Sequence, residues 1–530
     1  MTSTTIGKAA VRPAADEQVS MRTWVAVIGA ALGAFLAILN IQIVSSSLAD
    51  IQGAISAGVD EGGWIITSYL VAEIIVIPIS GWLTRVFSVR TYLLANTFLF
   101  LLFSVGCALT TDLSQMIVVR ALQGFSGGVL IPLAFSIIMT KLPPSKHPIG
   151  LSIYSVSAIF APAIGPVIGG YCNEAFGWQA IFLLNLLPGT VMFGMLWFSL
   201  DPEPRQLHLL RKGDWPGIIT IAIGLGSLQT VLEEGNKEDW FGSPFIVRLS
   251  IVAVISLVAF IIIQLVRKEP LLNLRLLMRR NFGLGTIANF VFGLSMYGWV
   301  FLVPLYLSRM QGYNAEQIGH VLIWIGLPQL LILPLGPKLM KLVDPRILVI
   351  AGFLLFIFGS LLAISLSGDF SGPQFLSANL VRAVAQSMMM TPLSVIAVAG
   401  IEKVNAGSAA ALYNMGRNLG GAVGIALLQT FLTKRTQFHS EVLTSHVSLL
   451  DPETQARIAL LAERFVRLGQ ADYDMARHQA MIALGRIVHR EASFLAFSDT
   501  IILQSSLLVL ALLAVLFLKK PAQGASSDAH

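Results

Sequence analysis

Fourteen runs of about twenty mostly apolar residues, separated by short polar breaks, dominate this chain and leave few folds open to it. They lie near 24–47, 64–84, 91–110, 114–139, 149–171, 179–200, 215–233, 245–266, 282–307, 316–337, 347–366, 373–399, 406–432 and 498–518. A helix of that length reaches across the hydrocarbon core of a bilayer, since each residue rises about 1.5 Å. Charged residues are only 12% of the chain and hydrophobic ones 55%, roughly half the charged share of a soluble domain. No polar linker divides the chain before residue 433. The pattern excludes a string of soluble domains and predicts an all-α integral membrane protein. The first run has full spanning length, which predicts a span rather than the short core of a cleavable signal peptide.

A net charge of +6 and a pI near 9.3 raise the question of nucleic acid. Placing the N-terminus inside and alternating, Lys8, Arg12 and Arg22; Arg85 and Arg90; Lys141 and Lys146; Arg205, Arg211 and Lys212 fall in inside segments. So do Arg267, Lys268, Arg275, Arg279 and Arg280; Lys338, Lys341 and Arg346; Lys403; and Lys519 and Lys520. Lys237, Arg309 and, at a helix edge, Arg248 fall outside. A ratio of 21 to 3 follows the preference of Lys and Arg for cytoplasmic loops. It predicts fourteen spans with both termini cytoplasmic, and it attributes the basic pI to topology, with no nucleic-acid partner. Cys107 lies inside an apolar run and Cys172 in a short loop, so no structural disulfide is expected.

Residues 433–497 are polar and belong outside in this topology. They read as two amphipathic helices. Asp451-Pro452-Glu453 is a helix start, with Asp as the cap and Pro in the first turn. Ile458, Leu461, Phe465 and Leu468 follow at helical spacing, and a second helix runs from about Asp474 through Ala480, Leu484 and Val488. His439, His446, His478 and His489 fall here at spacings of no metal motif and read as surface residues.

The chain repeats. Leu83 and Arg85 to Arg90 after the second span match Leu339 and Lys341 to Arg346 after the tenth. Arg120 matches Arg382, and Gly150 matches Gly407. The shared offset of 256–262 divides the chain into two six-helix halves in parallel orientation with two helices inserted between. The resulting segments are 1–22, a cytoplasmic tail; 23–200, the first half; 201–281, a linker with two inserted helices; 282–518, the second half including 433–497; and 519–530, a second tail.

Ionisable residues inside spans mark function, because an unpaired charge in hydrocarbon is costly. Glu73 sits mid-span with apolar residues on both sides. A carboxyl group in such surroundings favours its neutral form, so it can take a proton from one side and release it on the other. A nearby cationic substrate would compete with that proton. The alternative is a structural Glu, protonated or paired with Arg. Arg120 must find an acceptor or water, either tuning Glu73 or pinning carbonyl groups; Arg382 and Arg417 lie nearer polar ends. Pro162, Gly165, Pro166, Gly169 and Gly170 let the fifth helix bend and approach a neighbour closely. Met388 to Met390 either line an apolar pocket or simply pack. Asn40, Gln42, Tyr69, Gln123 and Met389 are the expected substrate path, and Gly81, Arg90, Arg417 and the fifth-span residues the expected gates and hinge. There is no Walker-type loop and no His-Glu-x-x-His, so neither an enzyme nor a cofactor is expected, and the energy source is something other than ATP.

Along nearly its whole length the chain resembles the fourteen-span drug:proton antiporters of the major facilitator superfamily, the EmrB/QacA type. Gly165-Pro166-x-x-Gly169-Gly170 is similar to the fifth-span antiporter motif, and Arg120-x-x-Gln123-Gly124 through Pro132 to the fourth-span motif whose Arg is implicated in proton transfer. Phe176-Gly177-Trp178 through Asn185, Asp214-Trp215-Pro216-Gly217 and Leu412-Tyr413-Asn414-x-x-Arg417 through Gly421 look like further signatures. The resemblance implies a major-facilitator fold and proton-driven export of amphipathic or toxic compounds across the inner membrane. Glu73 would carry the proton with Arg120 as its electrostatic partner. The outer loop is similar to the EmrB branch, which implies an EmrA-type periplasmic adaptor and an outer-membrane channel. Two departures stand out. Leu39-Asn40-Ile-Gln42-Ile-Val44-Ser45 has Asn where the family carries a first-span Asp, and Arg85 and Ser88 stand where it has Asp and Gly. A transporter for one metabolite, siderophore or fatty acid, or a non-transporting receptor or assembly factor, are the other readings.

Overall fold

The structure, a computed structural model, describes residues 19–58, 61–467, 469 and 472–520. Lys8 and Arg12 of the first tail, Leu468 of the outer loop and most of the second tail lie outside the described residues. The described residues are helical, without a strand. Fourteen helices fall on the fourteen apolar runs: α1 (Met21–Ser46), α2 (Trp64–Phe87), α3 (Val89–Ala108), α4 (Leu113–Lys141), α5 (His147–Phe176), α6 (Gln179–Ser199) and α7 (Trp215–Glu234). They continue as α8 (Pro244–Val266), α9 (Arg280–Gln311), α10 (Glu316–Leu342), α11 (Pro345–Leu361), α12 (Phe375–Val398), α13 (Ala406–Ser445) and α14 (Tyr473–Leu516). Twelve of these are long and apolar enough to cross a membrane. The other two are α11, which is short at 17 residues, and α13, which buries Asn414, Arg417 and several glycines.

Local chemistry sets the helix starts. Asp112 accepts the Gln115 amide at 2.9 Å, and Asn314 and Gln317 form a reciprocal capping box. Ser88 has φ +69° and ψ 150°, a conformation suited to Gly, which explains why the resembling family places Gly there. The Ser88 hydroxyl instead caps α3 by accepting the Thr91 amide at 3.4 Å.

Packing repeats between two six-helix sets. In the first, α1 packs on α4, α5 and α6, and α3 on α4 and α6; in the second, α9 packs on α12, α13 and α14, and α11 on α12 and α14. The sets meet where α5 lies on α10 and α2 on α13. Small residues permit both contacts. A Cβ at Gly326 of α10 would lie 2.6 Å from Ala163 of α5, and one at Gly81 of α2 would lie 3.5 Å from the Gly407 backbone of α13.

The inserted pair differs. Helix α7 lies against α2 and touches α13, whereas α8 packs mainly on α7 and is largely exposed. Asp214 ties their cytoplasm-predicted ends together. It caps α7 through the Gly217 amide at 3.1 Å and accepts Gln264 at 2.6 Å and Arg267 at 2.7 Å. Asp214→Ala leaves these donors unmatched, so it is expected to cost about 2 kcal/mol and lower the thermal midpoint of the detergent-solubilised protein. An unchanged midpoint would refute this anchoring role.

The outer segment 433–497 departs from the two-helix expectation. No Gly or Pro interrupts 425–451, so polarity ends the apolar run but not the helix, and α13 continues to Ser445. The expected helix Pro452–Arg467 is present. Its Asp451 carboxylate accepts the Thr454 amide at 2.9 Å, and these Thr454 bonds hold it below the usual carboxylate range. The second expected helix is the outer half of α14. Ile458 and Ala462 pack on Ala476 and Ala480, giving a three-rod protrusion. His446, His478 and His489 are exposed. His439 is half-buried, with Asp499 2.7 Å away; that carboxylate also accepts Arg435 at 2.6 Å, tying α13 to α14.

Candidate functional site

A cavity of about 550 Å³ lies between the two six-helix sets. Its walls come from α1, α2, α5, α7, α9, α10 and α13. On α1 it is lined from Ile41 to Ser46, at the end of the bundle remote from both chain termini. Toward the other end the sets are locked together. Ser152 of α5 donates to the Leu333 carbonyl, Thr391 of α12 lies 3.1 Å from Ser155, and Tyr154 of α5 bonds Asn414 and accepts Arg417 of α13 at 3.0 Å. The cavity is therefore open toward one end of the bundle and closed toward the other.

Glu73 lies in the wall of this cavity and is only 3% exposed. Its Oε1 accepts Asn418 of α13 at 3.2 Å, and its Oε2 has no hydrogen-bond partner among the described residues. The helix behind it fixes this position. A Cβ at Gly128 of α4 would lie 2.8 Å from both Cα and Cγ of Glu73, and one at Gly124 would meet the Tyr69 backbone. The two glycines thus let α4 press directly against the back of α2.

Arg120 is fully buried in the first six-helix set. It donates to the Ile65 carbonyl at 3.1 Å, Asn40 Oδ1 at 2.6 Å and Gln123 Oε1 at 2.7 Å, and it lies 4.3 Å over the Tyr69 ring. Gln123 passes the network on to Ser104 at 2.6 Å. No hydrogen bond or ion pair joins Arg120 to Glu73 among the described residues. Asn40 stands where the resembling family carries Asp, and it answers this guanidinium with a neutral amide oxygen. Arg382 is its counterpart in the second set, 3.9 Å from the Trp299 ring and 4.1 Å from that of Phe356. Arg417 bonds Tyr154 and Asn414 through Nη2, while its Nε and Nη1 have no hydrogen-bond partner among the described residues.

The expected site residues therefore divide. Gln42, Glu73 and Pro166 line the cavity. Asn40, Tyr69 and Gln123 form the buried layer behind it, and Met389 packs against Gly352 in the second set. Gly165 and Gly169 press α5 onto Gln42 and Ser46 of α1, and Gly170 and Pro162 share that helix. Gly81 sits at the α2–α13 contact and Arg417 at the α5–α13 contact. Arg90 donates to the Trp197 carbonyl at 3.0 Å and stays within the first set.

Four cavity residues carry no such signal in the sequence: Gln229 and Glu233 of α7, Tyr297 of α9 and Asn418 of α13. Glu233 ends an apolar run, so by pattern it is an edge residue; only the docking of α7 on α2 turns it inward. Most of the wall is apolar or aromatic, including Leu70, Ile74, Val300, Phe301 and Ile425. Lys237 also lines it, but its Nζ is 3.0 Å from Glu234. Two carboxyl groups, Glu73 and Glu233, thus face an otherwise greasy space, an environment suited to an amphipathic cation. No three His, Cys, Asp or Glu residues gather as a metal site among the described residues.

Residues 30–425 match the Major Facilitator Superfamily. The chain is 30% identical over 477 residues to the colistin resistance protein EmrB of Acinetobacter baumannii, covering 90% of this chain and 92% of that protein. It is 33% identical over 436 residues to the probable multidrug resistance protein EmrY of Escherichia coli K12, covering 81% and 84%. The human organic anion transporter MFSD10 superposes with a TM-score of 0.55 at 15% identity over 92% of this chain and 99% of that one, a likeness of fold alone.

Proposed function

The chain belongs to the major facilitator superfamily, and from that membership we propose that it is a proton-driven exporter of amphipathic toxic molecules, chiefly cations, in the inner membrane. Fourteen crossings with cytoplasmic termini fit the helices and the charge asymmetry, with 23–200 and 282–518 as the moving halves and 201–281 as the inserted linker. With that orientation the cavity faces the periplasm, and the state described here is the one that releases substrate. The relatives named for multidrug and colistin resistance support export of toxic compounds.

One observation carries the mechanism. Glu73 Oε2 is buried, without a hydrogen-bond partner among the described residues, and in the wall of the central cavity. A proton or a cation satisfies that oxygen, and the two exclude each other. Proton entry from the periplasmic side displaces the cation outward. The neutral carboxyl then permits closure around an uncharged site, and release of the proton to the cytoplasm readies the site for the next cation. Arg120 acts at a remove, by holding Tyr69 and the Ile65 carbonyl of α2 in place. The protrusion built on α13 and α14 is the surface proposed to meet an EmrA-type adaptor, itself joined to an outer-membrane channel.

The test is proton movement with purified protein. In lightly buffered detergent solution, adding ethidium is expected to release protons, and in inside-out vesicles an acid interior is expected to drive ethidium accumulation. No proton release, together with accumulation indifferent to a protonophore, would overturn the reading.

A further inference from the structure

The inserted helix α7 does more than fill space. It lies against α2, where Gly226 brings it within 3.0 Å of Ile75 as measured from an added Cβ, and it reaches α13. In that position it forms a wall of the cavity with Gln229 and Glu233. Its neighbour Glu234 is occupied. It accepts Thr67 of α2 at 2.7 Å and pairs with Lys237 at 3.0 Å, so the charge of that lysine is answered locally. Glu233 is different: the hydrogen bond it receives comes from Gln229, at 3.0 Å, one turn away on its own helix, and Lys237 acts on it only through space.

The Thr67 bond also sets the level of this acid. Thr67 and Glu73 are six residues apart on α2, a rise of about 9 Å. Glu233 therefore lies nearer the open end of the cavity than Glu73, with Thr67, Leu70 and the rings of Tyr297 and Phe301 among the wall residues they share. The deeper acid has a buried, unpartnered oxygen in the same space. From this geometry we infer that Glu233, oriented by Gln229, is a second and outer subsite for a lipophilic cation, which receives the cation once Glu73 takes a proton. The inference deepens the proposed function and rests on it.

A lone carboxylate releasing a cation into an apolar funnel would face a barrier, because the cation must leave one charge before water reaches it. A second carboxylate on the way out lowers that barrier. The aromatic faces of Tyr297 and Phe301 in the same wall would stabilise the cation in passage.

The experiment uses full-length protein in nanodiscs and two probes of similar shape, the cation tetraphenylphosphonium and neutral triphenylphosphine oxide. Glu233→Gln is expected to weaken tetraphenylphosphonium binding about tenfold, the scale of one carboxylate at this separation in a partly buried site. Binding of the neutral probe is expected to be unchanged, and Glu233→Asp to recover most of the loss. If Glu233→Gln binds the cation as wild type does while Glu73→Gln does not, the outer subsite is overturned and the proposed function stands. Equal loss of both probes would also overturn it, reducing Glu233 to a packing role. Wild-type protein that binds no cation and releases no proton would overturn the proposed function itself.

Discussion

Glu73→Gln is expected to abolish substrate-induced proton release and to lower ethidium export by roughly two orders of magnitude, the loss of a few kcal/mol of differential binding. The change is nearly isosteric. The amide oxygen can still accept from Asn418, now 3.2 Å from Oε1, and the packing of Gly128 on Cα and Cγ is untouched. What disappears is the capacity to alternate between a charge and a proton. The variant should therefore keep its thermal midpoint and still bind a neutral amphipath, while its cation binding loses pH dependence. Normal export with an unchanged pH profile would move the proton site elsewhere, and Glu233 is a second carboxyl group facing the cavity.

Gly128→Val is expected to bring export to background through shape alone. Even the first added carbon would sit 2.8 Å from Cα and Cγ of Glu73 and 2.8 Å from Val76, closer than side-chain carbons pack. Valine adds two further methyl groups, so α4 and α2 must separate at the level of the proton site. Overpacking of this kind costs about 1–3 kcal/mol, enough to lower the thermal midpoint without preventing folding. Its functional cost is larger, because it displaces Glu73 from Asn418 and from the cavity wall. Gly194→Val is the control. It lies on α6 with nothing within 4 Å of an added Cβ, so it should transport as wild type does. Wild-type export by Gly128→Val would show that the spacing of α2 and α4 does not position the acid.

The fold was legible because hydrocarbon imposes one requirement on every span, and apolar runs with basic residues at alternate ends satisfy it visibly. Helix ends were less legible. The apolar run of α13 stops near residue 432 while its backbone pattern continues to Ser445, since hydropathy reports the solvent and not the hydrogen-bond ladder. At the site, Glu73 was readable as a charge amid apolar neighbours. Its actual partner Asn418 was not, because it comes from 345 residues away in the chain. Asn40 was conspicuous only against the resemblance, and its contact with Arg120 depends on how α1 crosses α4. Glu233 was hidden by its position at the end of an apolar run, where an acid usually meets water. Packing of α7 on α2 decides otherwise, and no local pattern encodes it.

Helix α13 runs unbroken for 40 residues, from Ala406, next to the Gly407–Gly81 contact, to Ser445 in the protrusion. At about 1.5 Å per residue this is a rod of about 60 Å, and a tilt of about 10° around its midpoint swings each end by about 5 Å. Arg435 and His439 clamp it to α14 through Asp499, so the two rods travel as one lever. Under the proposed alternating-access cycle, opening at the Gly81–Gly407 end would displace the protrusion at the other end. An adaptor bound there, as proposed, would feel each turnover as a push, and by the same rigidity would be able to stall it.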